Sequence, residues 1–330
     1  MQNKTKIILD TDPGGDDIFA LLWLLSLVKQ GFVELVAVTT AEGNVNAKTT
    51  FACASQVLNF TDFAQIELGK GVIEPTDIED AAYIHGADGM GGLSESLPSV
   101  KHDYKSARYS DDIIIDKLNA HPGEITLLAV APLTNLAAAE MKSPGILKKA
   151  KEIIVMGGAF EVPGNVTSLA EFNIAFNVDA AQLVFNSRND TVVLSLDVTN
   201  ELIFTKEMAE EVYLSNSQNP VAKFIVQLCE FLTYTSLTYR QTEGIKGFLV
   251  HDAATVAYLF YPETLLLQRA QVDIETAGKF TKGQTIIDNR HVAKASVNAW
   301  VALQVDAVNL LASLVEDLKV LLTPNSYRPN

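Results

Sequence analysis

The chain is 330 residues long, 48% hydrophobic and 20% charged, enough for a sizeable buried core. Its 25 basic against 40 acidic side chains give a formal net charge of -15, which excludes a nucleic-acid backbone as partner because phosphates would be repelled. The two cysteines, Cys53 and Cys229, read as buried free thiols, no Cys/His cluster has zinc spacing, and the longest apolar run, 18–28, is too short to span a bilayer.

In chain order, residues 6–9 read as a first strand, 16–29 as a helix, 34–39 as a strand, 46–59 as a helix and 66–69 as a short strand. A helix at 110–120, a strand at 125–130, a helix at 133–141, a strand at 152–156, a helix at 178–186 and a strand at 191–196 continue the alternation. The strands are nearly continuous apolar runs, as expected when helices cover both faces of a sheet. The pattern predicts an α/β fold with a mostly parallel, doubly wound, Rossmann-like sheet. Residues 206–239 read as helical insertions, with a long helix from Asn219, and 251–261 as a helix ended by Pro262. Residues 272–276 and 285–288 read as late strands, and 295–318 as a closing helix. No repeat or low-complexity linker interrupts the pattern, so residues 1–330 read as a single domain, and with no signal peptide or membrane span a cytoplasmic location is expected.

The first strand runs into Asp10-Thr11-Asp12-Pro13-Gly14-Gly15-Asp16-Asp17. One aspartate there would serve as a helix cap. Four carboxylates around a Pro-Gly-Gly turn repel one another, and burying them costs several kcal/mol, roughly, unless they are paired or bind a metal. Oxygen-only donors suit a hard cation such as Ca²⁺ or Mg²⁺. Ligands of doubly wound sheets sit beyond the carboxyl ends of the strands. The loops 39–44, 131–135 and 156–158 follow strands at that same edge, so four loops are expected to converge on one site. The Asp-x-Asp order also occurs in haloacid dehalogenase phosphatases, with Mg²⁺ and a nucleophilic first Asp. Here Gly14 stands where they carry Thr or Val, and Asp16-Asp17 has no role in that scheme.

The acidic segment resembles the signature Asp-x-Asp-Pro-Gly-x-Asp-Asp of the inosine–uridine-preferring nucleoside hydrolases. Thr39-Thr40-Ala41-Glu42-Gly43-Asn44, Ile84-His85-Gly86-Ala87-Asp88-Gly89-Met90-Gly91, Pro132-Leu133-Thr134-Asn135 and Met156-Gly157-Gly158 continue the resemblance. So do Gly164-Asn165-Val166-Thr167, Ala170-Glu171-Phe172-Asn173, Val250-His251-Asp252 and Val272-Asp273-Ile274-Glu275, in the family's order and over essentially the whole chain. The resemblance implies Ca²⁺-dependent hydrolysis of the N-glycosidic bond of ribonucleosides, a role in nucleoside salvage, and a homodimer or homotetramer. Asp12, Asp17, Asp252 and the Thr134 carbonyl would hold the ion, with Asp12 also the base that activates water, and Asn44 near the reacting centre. Asp16, Asn165, Glu171, Asn173 and Asp252 would bind ribose and stabilise an oxocarbenium-like transition state.

His251 occupies the family's general-acid position. His85, Tyr239, Phe172 and Met156 would meet the base or shape its pocket, with Thr235, Tyr83, Tyr234 and Arg240 as weaker candidates. His102, His121 and His291 match no site motif. Where the family commonly has Asp-Pro-Glu-Ala-Ala, this chain has Asn177-Val178-Asp179-Ala180-Ala181, and Asn177 is expected to cap the helix that starts there. A catalytically silent ribonucleoside-binding protein is the alternative reading, and base preference stays open.

Overall fold

The computed structural model describes residues 4–288, 290 and 297–324. In β1 (Thr5–Thr11) the pleat sends Ile7 and Leu9 to one core and Ile8 to the other, which explains the uninterrupted apolar run. Then follow α1 (Gly15–Gln30), β2 (Val33–Thr40), α2 (Ala47–Phe60), β3 (Glu67–Gly69), the one-turn α3 (Ala82–His85), α4 (Ser110–Ala120), β4 (Ile125–Ala129) and α5 (Thr134–Lys142). β5 (Glu152–Met156), α6 (Phe172–Phe176), α7 (Val178–Ser187), β6 (Thr191–Leu194), α8 (Leu196–Thr199), β7 (Ile203–Phe204), α9 (Lys206–Ser215) and α10 (Pro220–Thr238) continue the chain. It ends with β8 (Phe248–Leu249), α11 (Ala253–Phe260), β9 (Leu265–Ala270), β10 (Val272–Ile274), β11 (Thr285–Ile287), β12 (Ala299–Val305) and α12 (Ala307–Leu321).

Eight strands form one sheet in the order β3-β2-β1-β4-β5-β6-β12-β9, and every pairing is parallel except β12 with β9. The chain winds outward from β1 through β2 to β3, then crosses back to β4 beside β1. That reversal opens a crevice at the carboxyl end of β1. Ala41 N donates to Thr11 O (2.9 Å) and Val130 N to Asp10 O (2.8 Å), so the loops after β2 and β4 are tied to β1 where the acidic segment begins. One face of the sheet packs Phe19, Trp23, Phe204 and Leu228 of a core built with α1 and α10 to α12. The other packs Ile113, Leu136 and Phe185 under α4, α5 and α7. Among the described residues no helix is long and apolar enough to cross a membrane.

The closing helix expected over 295–318 is corrected. Residues 295 and 296 lie outside the described residues, 299–305 form β12, and the helix begins only at Ala307. Ala299-Trp300-Val301-Ala302 is as apolar as a buried helix turn, but Ala299, Val301 and Ala302 are buried between β6 and β9 while Trp300 turns outward under Arg269. The true boundary carries its own signal, since the Asp306 carboxylate accepts from Asn309 N as an N-cap. The antiparallel partner of β12, β9, is a strand that the sequence pattern does not mark. The two late strands exist as β10 and β11, but among the described residues they pair only with each other.

Candidate active site

The acidic segment folds back on itself through Asp17. This carboxylate accepts from the Thr11 hydroxyl (2.5 Å), Asp12 N (3.1 Å), Gly14 N (3.0 Å) and Asn44 Nδ2 (2.9 Å), so the first turn of α1 holds it rigidly. Asp12 is buried, and Asn44 N reaches its Oδ2 at 2.7 Å. Its Oδ1 is buried with no hydrogen-bond partner among the described residues. The approach of the two loops needs glycine at Gly43, where a Cβ would run into the Asp12 carboxylate. Asp10 lies one strand repeat earlier and is fully buried. The Thr39 hydroxyl (2.6 Å) and Asn135 Nδ2 (2.8 Å) both donate to its Oδ1. Sequence reasoning gives Asp10 and Asn135 no individual role; the available signal is Asp10 two residues before Asp12, at the end of the strand.

Loops after β4 and β5 build the opposite wall. Glu171 caps α6, accepting from Asn173 N (2.9 Å), Ile174 N (3.3 Å) and Gly158 N (2.9 Å). Asn173 Nδ2 donates to the carbonyls of Val130 (3.2 Å) and Met156 (3.1 Å), which leaves its Oδ1 as the atom offered to a ligand. Asn165 Oδ1 accepts from Phe172 N (2.9 Å), leaving its amide nitrogen as donor. Asp252 precedes α11 but caps none of its N–H groups, so its buried carboxylate is directed at other partners. Thr134 is buried at the start of α5, beyond β4 at the same sheet edge, and Asn177 does cap α7 through Ala180 N (3.0 Å).

One cavity gathers Asp16, Asp17, Asn44, His85, Met156, Asn165, Glu171, Phe172, Asn173, His251 and Asp252, residues far apart in the chain. Asp12, Thr134, Tyr234, Thr235, Tyr239 and Arg240 do not line it. Tyr239 is half-exposed and is not in the cavity wall; its ring packs edge-on at 4.9 Å against Tyr83, which is. Thr235 is buried with its hydroxyl turned onto Leu232 O (3.1 Å), and Leu232 and Ser236 of α10 line the wall instead. Gln241, Phe248 and Leu249 complete this side, and no local pattern in the sequence marks them. His85 accepts from Gly15 N at its Nδ1 (2.9 Å), and His251 Nδ1 lies 2.8 Å from Thr199 Oγ1. Outside the cavity, His102 bonds Ser55 and His121 meets Lys6, while His291 lies outside the described residues.

The electrostatics single out this edge of the sheet. Burial, reinforced by Asp17, pushes Asp16 up to about 8, and burial pushes Asp10 up to about 7. Asp12 and Asp252 are driven well above the carboxylate range, by burial first and then by neighbouring acids. Burial raises Asp17 and Glu171 as well. Burial lowers both His85 and His251 to about 4, with His251 adding to the effect on His85. Carboxylate oxygens of Asp16, Asp17 and Asp252 all lie within 4.8 Å of one another, close enough to share one cation. Hard oxygen donors, mutual repulsion and an unpartnered Asp12 oxygen all fit a bound divalent ion.

The sequence profile of the inosine-uridine preferring nucleoside hydrolases matches residues 7–312. The chain belongs to this family. It is 33% identical over 304 residues to the inosine-uridine preferring nucleoside hydrolase of Crithidia fasciculata, covering 91% of this chain and 93% of that one. It is 36% identical over 309 residues to the non-specific ribonucleoside hydrolase RihC of Salmonella enteritidis, covering 93% and 95%. Among solved structures, a purine-preferring ribonucleoside hydrolase from Gardnerella vaginalis superposes with a TM-score of 0.86 at 26% identity, over 96% of this chain and 99% of that one. A plant nucleoside hydrolase superposes at 0.84 with 29% identity and the same coverage. This nucleoside hydrolase is therefore an enzyme that hydrolyses ribonucleosides, from a metal-dependent family, and its aspartate cluster could hold the metal.

Proposed function

We propose that this nucleoside hydrolase uses Ca²⁺ to release ribose and free base from purine or pyrimidine ribonucleosides, with Asp12 as the base. The observation that carries the reading is Asp12 Oδ1, a buried carboxylate oxygen without a partner amid Asp16, Asp17 and Asp252. Asp12, Asp17, Asp252 and the Thr134 carbonyl would hold the ion. When bound, Ca²⁺ would neutralise the cluster, acidify a water less strongly than Zn²⁺ does, and orient ribose hydroxyls. Asp12 takes the proton of the attacking water, and Asn44 fixes Asp12 through its main-chain N–H.

Asp16 is only half-buried and stays free to accept from a ribose hydroxyl, as does Asn173 Oδ1. Glu171, beside them, adds negative charge toward the developing ribosyl cation. Loss of the 2′-hydroxyl would leave buried acceptors unpaired, so 2′-deoxynucleosides are expected to turn over far more slowly. His251 lines the base side and serves the leaving base. One sheet includes strands from β1 to β12, which supports a single domain over residues 1–330.

The test is ribose release from inosine, uridine, cytidine and adenosine, with and without a chelator. Chelator-sensitive release restored by Ca²⁺ is expected, and the four rates rank the bases. Release that ignores the chelator would remove the metal from the mechanism. No release from any of the four, with Ca²⁺ supplied, would favour a silent ribonucleoside-binding protein.

A further inference from the structure

We propose that Thr199 is a positioning residue that donates its hydroxyl proton to His251 Nδ1 and thereby keeps the imidazole proton on Nε2, the ring edge left to face the cavity. The task of that edge, a hydrogen bond to the departing base, rests on the function proposed above. Thr199 ends the one-turn helix α8 and is fully buried. Its Oγ1 lies 2.8 Å from His251 Nδ1, 52 residues further on.

Long-range pairing holds the two segments in this register. β7 and β8 form an antiparallel pair, Ile203 with Leu249 and Phe204 with Phe248, and Val250 N donates to Leu202 O (2.9 Å). Thr199, before β7, and His251, after β8, lie just beyond the same end of that short ladder. Among the described residues the Thr199 hydroxyl has no second hydrogen-bond partner, so its proton has one acceptor, Nδ1. The opposite arrangement, Nδ1–H donating to Oγ1, would strand the hydroxyl proton in a buried place.

His85 supplies an internal comparison. Gly15 N donates to its Nδ1 at 2.9 Å, and this backbone donor imposes the same Nε2–H tautomer. Both histidines of the cavity wall therefore carry their proton on Nε2, one locked by a main-chain amide and one by a hydroxyl. Only the second lock can be removed by substitution.

The experiment compares wild type, Thr199→Val and Thr199→Ser in the full-length Ca²⁺-loaded protein. Long-range ¹H–¹⁵N spectra of histidine-labelled protein, taken above neutral pH, read each tautomer directly. In Thr199→Val we expect His251 to lose its pure Nε2–H signature while His85 keeps its own, and Thr199→Ser to restore it. The turnover number for inosine should fall about tenfold to a hundredfold in Thr199→Val with little change in KM. An aryl riboside whose leaving group needs no help should be nearly unaffected, which also checks folding. The proposal is overturned if His251 keeps its Nε2–H form in Thr199→Val with inosine turnover intact. Parallel loss of both substrates without rescue by Ser overturns it too. A wild type that hydrolyses neither substrate would sink the functional reading, and the imidazole spectra would still decide the role of the hydroxyl.

Discussion

Asp317 and Asp12 are both buried acids, at different places in the molecule, and the fold provides for them in opposite ways. Asp317, on α12, receives Trp23 Nε1 (2.6 Å), Gln30 Nε2 (2.7 Å) and the Tyr261 hydroxyl, so neutral donors from α1 and from the end of α11 satisfy both oxygens. It pins the C-terminal helix to the first one, and the Trp23 and Tyr261 rings stack at 5.6 Å beside it. Asp12 has one oxygen on Asn44 N and the other on nothing, with more carboxylates around it. A buried acid whose donors are all supplied by the fold is a structural tie. One surrounded by like charge marks a place where a ligand completes the balance.

Asp12→Asn would break this contrast most sharply. Turnover should fall by about 10²- to 10⁴-fold, the range general-base removal covers. Metal-free stability should hold or rise, since an amide does not repel Asp16, Asp17 and Asp252. Near-native turnover of ribonucleosides in this variant would mean that Asp12 is not the base.

Asp317→Leu should do the reverse. One buried donor, Trp23 Nε1, and two half-buried ones lose their acceptor, at a cost of about 1–3 kcal/mol in denaturant unfolding, while turnover per folded molecule stays near that of wild type. A turnover loss as deep as that of Asp12→Asn would erase the distinction between the two acids.

A smaller effect concerns pH. The site carboxylates are raised from 3.8 in the folded state, Asp16 to about 8 and Asp10 to about 7. Between about pH 4 and pH 8 the cation-free folded protein thus holds protons that the unfolded chain has released. The stabilisation these groups give is complete below the unfolded value and is lost as pH rises through the folded ones. Thermal midpoints of the cation-free protein should therefore fall from about pH 5 to about pH 8. Added Ca²⁺, binding the ionised forms, should flatten or reverse that slope. Equal slopes with and without the ion would argue against a metal at the cluster.

Much of this was legible in the chain. The strand–helix alternation, the crowding at 10–17 and the convergence of four strand-end loops are local patterns, written in period and residue type. Asp12, Asp16, Asn44, Glu171, Asn173, His251 and Asp252 come together where loops at one sheet edge must meet. The errors fell where local pattern is ambiguous. The apolar stretch at 299–305 suits a buried helix as well as a buried strand, and only its neighbours β6 and β9 decide between them. Tyr239 was placed by position in a motif, whereas the end of α10 turns it out against Tyr83 and leaves Leu232 and Ser236 at the wall.

The sequence by itself determined the parallel run of strands from β3 to β6 and the donor chemistry of the site, because hydrophobic period and the repulsion of adjacent carboxylates act over a few residues. Only the tertiary structure decided which oxygen of Asp12 lacks a partner, which helix lines the base side and which hydroxyl meets His251. Those are contacts between segments tens to hundreds of residues apart, set by how the loops close over the sheet edge, and no local pattern encodes them.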